Sequence, residues 1–396
     1  MAKPLLSLLV HLHAALLFLP EPAGAMHNVL RYGARPDGVT DSTAAFLRAW
    51  ADACRSPLPA AVYVPPGRFL VARATTFSGP CASRAVAFAV AGTVVAPAGY
   101  GRGRDDASDR WITFENVEGL TVAGGTLDGR GRALWACKRR RHGCPFGASS
   151  LTISNSRDVV VEGVRSVDSE LFHVVVMQSH RVTVRGVTVE APADSPNTDG
   201  IHVHMSSHVA VYDARVRTGD DCISVGPGNS HLWIERVACG PGHGISIGSL
   251  GKQEGVEVEA VENVTVKTAW FTGTTNGLRI KTWGGSKRGF VRGVTFADAT
   301  MAAVDNPIII DQHYCPNGTG CPAKSSSIKI SEVKYVGIRG SSATAVAVNF
   351  DCSRSNPCSG ITLQDVALTY RNRVARSRCR NAQGTTLGLV LPPSCL

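Results

Sequence analysis

This 396-residue sequence is first informative by what it lacks. It has no G-X-Y period, which excludes a collagen-like fibre. No two cysteines form a CxxC pair, which argues against a structural zinc site. No Pro/Ser/Gly-rich linker divides the chain after its first 25 residues, so residues 26–396 are expected to form one domain. Only the run Leu5–Leu19 approaches membrane-spanning length, and its roughly 15 residues fall short of the roughly 20 needed. Lys3 precedes that run, and Pro20, Pro22 and Ala23-Gly24-Ala25 follow it. A basic start, a short apolar stretch and a small-residue cleavage site read as a secretory signal peptide over residues 1–25. No membrane partner is expected.

The cysteines agree with export. There are 12, an even number, in close sequence neighbourhoods: Cys54/Cys81, Cys137/Cys144, Cys222/Cys239, Cys315/Cys321, Cys352/Cys358 and Cys379/Cys395. An oxidising compartment makes such a set a disulfide framework, although sequence alone leaves its connectivity open. Asn263-Val264-Thr265 and Asn317-Gly318-Thr319 are N-glycosylation sequons in an exported chain. The formal charge is +10, and removing residues 1–25 takes away one Lys and one Glu and leaves it unchanged. An excess of positive charge favours an acidic partner. For an exported protein that partner is a polyanionic polysaccharide rather than nucleic acid.

Repetition organises the middle of the chain. The segments 159–167, 182–190, 209–217, 232–240, 264–272 and 290–298 are short, alternating and rich in Val, Ile and Thr, as strands are. A polar, Gly-rich turn follows, then a second short strand. These second strands start at Ile201, Ile223 and Ile245, 22 residues apart each time, and the next starts at Leu278 after an insertion expected at 249–259. A β-sandwich gives no reason for such a register. A parallel β-helix does, because each repeat is one coil whose apolar face stacks on the next. The fold class is therefore all-β, a parallel β-helix, right-handed by the general preference of parallel crossovers. Asp41-Ser42 ahead of Phe46, Leu47 and Trp50 predicts a capped amphipathic helix that plugs the N-terminal end. The last 82 residues hold six cysteines, which would staple the other end. Lys138–His142 reads as a basic loop, either solvated or in contact with an acidic substrate.

The polar residues fall on the same register. Asn197-Thr198-Asp199-Gly200, Gly219-Asp220-Asp221-Cys222 and Gly242-His243-Gly244 each precede a second strand, so Asp199, Asp221 and His243 are 22 residues apart. Stacked coils stand about 4.8 Å apart. Three carboxylates and an imidazole then share one patch, which is unfavourable unless a proton or cation intervenes. Acid/base catalysis, calcium binding and simple turn chemistry all remain open at this point. On the next coil, alternation in Leu278-Arg279-Ile280-Lys281 turns Arg279 and Lys281 outward beside the carboxylates, to bind an acidic substrate or to pair with them. His202 and His204 face outward near the same column.

NTDG at 197–200, GDDC at 219–222, GHGISIG at 242–248 and RIK at 279–281, in that order, resemble the polygalacturonases of glycoside hydrolase family 28. The resemblance extends from Val29-Leu30-Arg31-Tyr32-Gly33 to the last cysteine and includes DQHYC at 311–315. SPNTDG, CGPGHGISIGSLG and RIKTW look closest to the plant, pollen-type exopolygalacturonases. The resemblance implies that Asp220 is the general acid and that Asp199 and Asp221 hold and activate the attacking water. It implies that His243 shares in their proton network, and that Arg279, Lys281 and Tyr314 bind galacturonate. Asn197, in the NTDG turn, and His202, outward on its strand, are further candidates to line the cleft. It also implies a Cys222–Cys239 disulfide that fixes the DD turn.

That chemistry is consistent from below. Glycoside hydrolysis needs a protonated acid and a base, and crowded carboxylates raise one another's pKa. An acidic optimum, roughly pH 4–6, with one proton shared among the three, is expected. Close stacking by itself favours retention of configuration, whereas the resemblance implies inversion. The expectation is thus an exported, monomeric hydrolase of polygalacturonate that acts from a chain end and needs no cofactor or metal. The alternatives are endo action, a calcium-dependent pectate lyase with Arg279 as base, and a non-catalytic wall-binding protein on the same scaffold.

Overall fold

The computed structural model describes residues 25–99, 109–140, 143–252, 257–316 and 318–396. The expected signal peptide up to residue 24, the sequon residue Asn317 and residues 141–142 of the basic run lie outside the described residues. Strands dominate and pair in parallel, coil on coil. The expected register holds in detail: Ile201 pairs with Ile223, Ile223 with Ile245, Ile245 with Leu278 and Leu278 with Ile308. The first strands of each repeat stack the same way, from Val159 through Val182, Val209, Leu232 and Val264 to Val294. This is the parallel β-helix the repeat predicts.

Burial explains why each coil seats on the next. Ile201, Ile223, Ile245, Leu278 and Ile308 are each fully buried and form one aliphatic stack through the core. Each such side chain contributes roughly 1.5–3 kcal/mol relative to exposure, so a single coil is unstable and a stack is not. The residues between them face outward on an eleven-stranded sheet whose strands follow chain order, from Thr75–Ser78 to Arg376–Arg380. The expected insertion is shorter than 249–259: one strand runs Ile245–Leu250 and the next begins at Val258, with residues 253–256 outside the described set. Glu259 lies within that strand, fully buried, and accepts a hydrogen bond from the Gly251 N–H.

The ends differ from expectation in two details. The plug is the helix α1, Thr43–Arg55, which packs Phe46 on Phe69 and Phe88, and Trp50 on Phe77 and Phe114. Leu47 is exposed rather than part of the apolar face. Ser42 supplies no cap bond; the Asp41 carboxylate accepts from the Thr43 N–H at 2.9 Å instead. The basic run is not a loop throughout. Lys138, Arg139 and Arg140 form the last turn of a second helix, α2, Arg132–Arg140, where positive charge suits the helix C-terminus. Leu134 and Trp135 anchor it. All twelve cysteines pair with their sequence neighbours. Three of these bonds, Cys315–Cys321, Cys352–Cys358 and Cys379–Cys395, staple the C-terminal coils.

Candidate active site

The polar turns meet at one edge of the eleven-stranded sheet. The Gly200 N–H donates to the Asp221 carbonyl at 2.9 Å and the Cys222 N–H to the Gly244 carbonyl at 2.8 Å, so the three turns stack as the 22-residue spacing requires. Gly244 is needed there. Its φ is +84°, and a Cβ would lie 2.1 Å from the Asn276 carbonyl oxygen. The Cys222–Cys239 disulfide, with Cα atoms 5.8 Å apart, ties the DD turn to the end of the following strand, Asn229–Cys239. Below it, Thr218 Oγ1 donates to Thr198 Oγ1 at 2.7 Å, which pins the NTDG turn from inside.

The three carboxylates have distinct surroundings. Asp221 is buried, and its Oδ1 accepts from Arg279 Nη2 at 2.5 Å and from Ser246 Oγ at 2.8 Å. Its Oδ2 accepts from Lys281 Nζ at 2.8 Å. Burial pushes its pKa up, but the Lys281 and Arg279 charges outweigh this and hold it at about 2. Asp199 is also buried, and Ser224 Oγ donates to its Oδ2 at 2.5 Å. Burial, with the Asp220 and Asp221 charges behind it, raises Asp199 well above the usual carboxylate range. Asp220 is more open. Its Oδ1 accepts from the Asp221 N–H at 2.8 Å and lies 3.1 Å from Nδ1 of the solvent-accessible His243. Asp199 is thus biased toward its protonated form, Asp221 is held ionised, and Asp220 is the most accessible of the three.

Arg279 and Lys281 face outward from the coil as alternation requires, yet only 8% and 7% of their surfaces are exposed. Both pair with Asp221, the alternative to substrate binding that the spacing leaves open. The Tyr314 ring centroid is 5.1 Å from Lys281 Nζ and 5.9 Å from the Arg279 guanidinium. Trp283 packs edge-on against Tyr314 at 5.1 Å. His202 joins the cluster through Ser224, with Nδ1 2.8 Å from Ser224 Oγ. Since Ser224 donates to Asp199, His202 donates to Ser224. Asn197 is exposed at φ +55°, with no side-chain hydrogen bond among the described residues. Asn263 lies elsewhere, exposed, on the strand Val258–Thr272.

Ser224 and Ser246 escaped sequence reasoning. Each bridges one carboxylate to one base, Asp199 to His202 and Asp221 to Arg279. The signal was present, since both occupy the outward position after the first aliphatic residue of their strand, as His202 and Arg279 do.

Asp220, Asp221 and His243 also offer ligand atoms within 4.8 Å of one another, a spacing a cation can use. Comparison with known proteins narrows these possibilities. Residues 54–388 match the model of the glycosyl hydrolases family 28, and residues 26–79 match a rhamnogalacturonase A/epimerase, pectate lyase-like model. A polygalacturonase of Prunus persica is 55% identical over 372 residues, 93% of each chain. An exopolygalacturonase of Platanus acerifolia is 40% identical and covers 94% of this chain and 98% of its own. Among solved structures, an endo-xylogalacturonan hydrolase from Aspergillus tubingensis superposes with a TM-score of 0.74 at 20% identity, over 92% of this chain and 99% of that one. That last likeness concerns the fold alone.

Proposed function

The chain belongs to glycosyl hydrolase family 28, and from that premise we propose that it is a secreted polygalacturonase that hydrolyses α-1,4-galacturonosyl linkages by inversion, releasing galacturonate from a chain end. The carrying observation is the division of labour among the aspartates: Asp221 ionised by Arg279 and Lys281, Asp199 biased toward its protonated form by burial, Asp220 more accessible beside His243.

The steps follow from these surroundings. Asp220, the carboxyl a substrate reaches, gives its proton to the glycosidic oxygen as the C–O bond breaks. Asp221 and Asp199 hold the water on the other face, and the ionised Asp221 accepts its proton as oxygen bonds to the anomeric carbon. His243 and solvent return the proton to Asp220. Asp220 and Asp221 offer oxygens within 4.8 Å of one another, a separation that by itself favours retention, so inversion is proposed from the family and not from the spacing. Arg279 and Lys281 keep unused N–H groups after pairing with Asp221 and offer these to a galacturonate carboxylate, with Tyr314 against the sugar and Asn197 and His202 at its margin.

Export to the cell wall is supported by the signal-like start, six disulfides and plant relatives named as polygalacturonases. We take residues 26–396 as one monomeric catalytic unit that needs no cofactor, with Asn263 as its accessible glycan site. The carboxylate and imidazole spacing keeps a calcium lyase as the second reading. Arg279 suits it poorly as a base. Burial lowers its pKa, yet the Asp221 charge outweighs this and raises it further. A product assay on de-esterified polygalacturonate with chelator present tests both readings. Reducing ends without unsaturated, ultraviolet-absorbing product support hydrolysis, and monomer from the start supports exo action. Unsaturated product that chelator abolishes would replace this reading with the lyase.

A further inference from the structure

The outward row that carries Ser224 continues toward the N-terminal coils through His202, Val175 and Thr152, one strand at a time. These residues line a pocket of about 240 Å³ together with Phe146, Leu171 and Phe172. The pocket adjoins the catalytic cluster, because His202 forms part of its wall and reaches Asp199 through Ser224. Its chemistry is nevertheless the reverse of the Arg279 end. Phe146 is largely exposed, and the Phe172 ring lies 4.7 Å from the His202 ring. Arg110, the cation of the wall, lies 3.5 Å from Asp109. Lys138 Nζ is 5.9 Å from the Phe146 ring, within the field of Glu170. Burial pushes His202 down to about 3, which leaves it neutral under mildly acidic conditions, and it lowers His204 as well. Thr152 Oγ1 is buried with no hydrogen-bond partner among the described residues.

A carboxylate entering this pocket would lose water without gaining the cation pair that Arg279 and Lys281 form with Asp221. An ester would set its methyl group on Phe146 and Val175 and place oxygen within reach of Thr152 and His202. We propose that this pocket is a subsite for an uncharged sugar residue, a galacturonate whose carboxyl is methyl-esterified, with Phe146, Val175 and His202 as its specificity-determining residues. The inference rests on the polygalacturonase reading and adds the substrate pattern it prefers: an esterified sugar on the pocket side of the cut and a free carboxylate on the Arg279 side.

The test compares kcat/KM of the full protein on de-esterified polygalacturonate and on the same polymer partly methyl-esterified, with mass spectrometry of the products. The expected ratio, esterified over de-esterified, is one or higher, with methyl ester recovered on the sugar adjoining the cut. Val175→Arg places a cation in the pocket and lowers that ratio about tenfold, by a charge pair for the free acid and lost room for the ester. Phe146→Ala, at an exposed position that does not threaten folding, lowers it about threefold through lost apolar contact. Cleavage of the de-esterified polymer alone, or variants that leave the ratio unmoved, would overturn the subsite and spare the polygalacturonase reading. Absence of reducing ends from both polymers would sink the two together.

Discussion

Thr152, Val175, His202, Ser224, Ser246 and Arg279 stand one strand apart along a single outward row, yet the two ends of that row solve burial in opposite ways. At the Arg279 end, full charges are buried and compensate one another around Asp221. At the Thr152 end, the row's own side chains are apolar or neutral and line a pocket whose charged residues, Asp109 and Arg110, lie 3.5 Å from each other. The backbone gives every station nearly the same depth and spacing. What differs is whether a buried charge has a partner. Where it has one the charge survives, and where it has none the group gives up its charge, as His202 does. The serines between carry the change, each bridging a carboxylate to a base.

The largest predicted effect breaks the charged end at its open carboxyl. Asp220→Asn should lower kcat by roughly 10³-fold, the scale of general acid catalysis, while binding of oligogalacturonate by calorimetry changes little. Unchanged turnover would remove Asp220 from the role of acid.

Next in size is the partner itself. Arg279→Ala leaves Asp221 buried with Lys281 alone, and unfolding by denaturant should show a loss of about 3 kcal/mol. Catalysis should fall with it. Adding Asp221→Asn to that variant should restore part of the stability but none of the activity. A stable, active Arg279→Ala protein would mean that the ion pair has no energetic weight.

A finer contrast lies in pH. The pKa of His202 is depressed to about 3, so its stabilising contribution is present above its ordinary value of 6.5 and is lost as pH falls toward 3. Buried His173 behaves alike. Asp221, depressed to about 2, contributes above its ordinary 3.8 and loses that contribution only as pH falls toward 2. Asp199 works the other way: its raised pKa gives stability below 3.8 that disappears as pH rises through the raised value. Stability measured against pH should therefore decline first through the neutral end and then through the charged end. His202→Gln should make the first decline shallower, leaving the share that His173 contributes, and leave the second unchanged. A single decline confined below pH 4 would contradict this ordering.

The smallest effect concerns His202 in turnover. Gln keeps a donor for Ser224, so His202→Gln should cost about tenfold or less in kcat, with little change in the acid limb of the rate profile. A larger loss with an altered limb would make His202 a proton carrier rather than a positioning residue.

The aspartate column was legible because a solenoid turns sequence period into spatial neighbourhood. Asp199, Asp221 and His243 needed only their spacing to be placed together. The helix α2 was missed because nine residues with a basic end resemble a solvated loop when Leu134 and Trp135 are not known to be buried. Asp41-Ser42 marked the start of α1, and that Asp41 rather than Ser42 supplies the cap bond is decided by local geometry. The pocket was invisible because its walls come from separate stretches, with Phe146 brought beside Val175 and His202 by the coil stacking.

Composition, period and motif order were thus enough to establish a parallel β-helix, its register and the identity of the clustered groups, since these depend on local alternation and repeat length. Which aspartate is pushed toward its protonated form, which is held ionised and which cations are already paired were decided only by tertiary structure. Protonation follows from burial and from charges a few ångströms away, and those distances exist only once the coils are stacked.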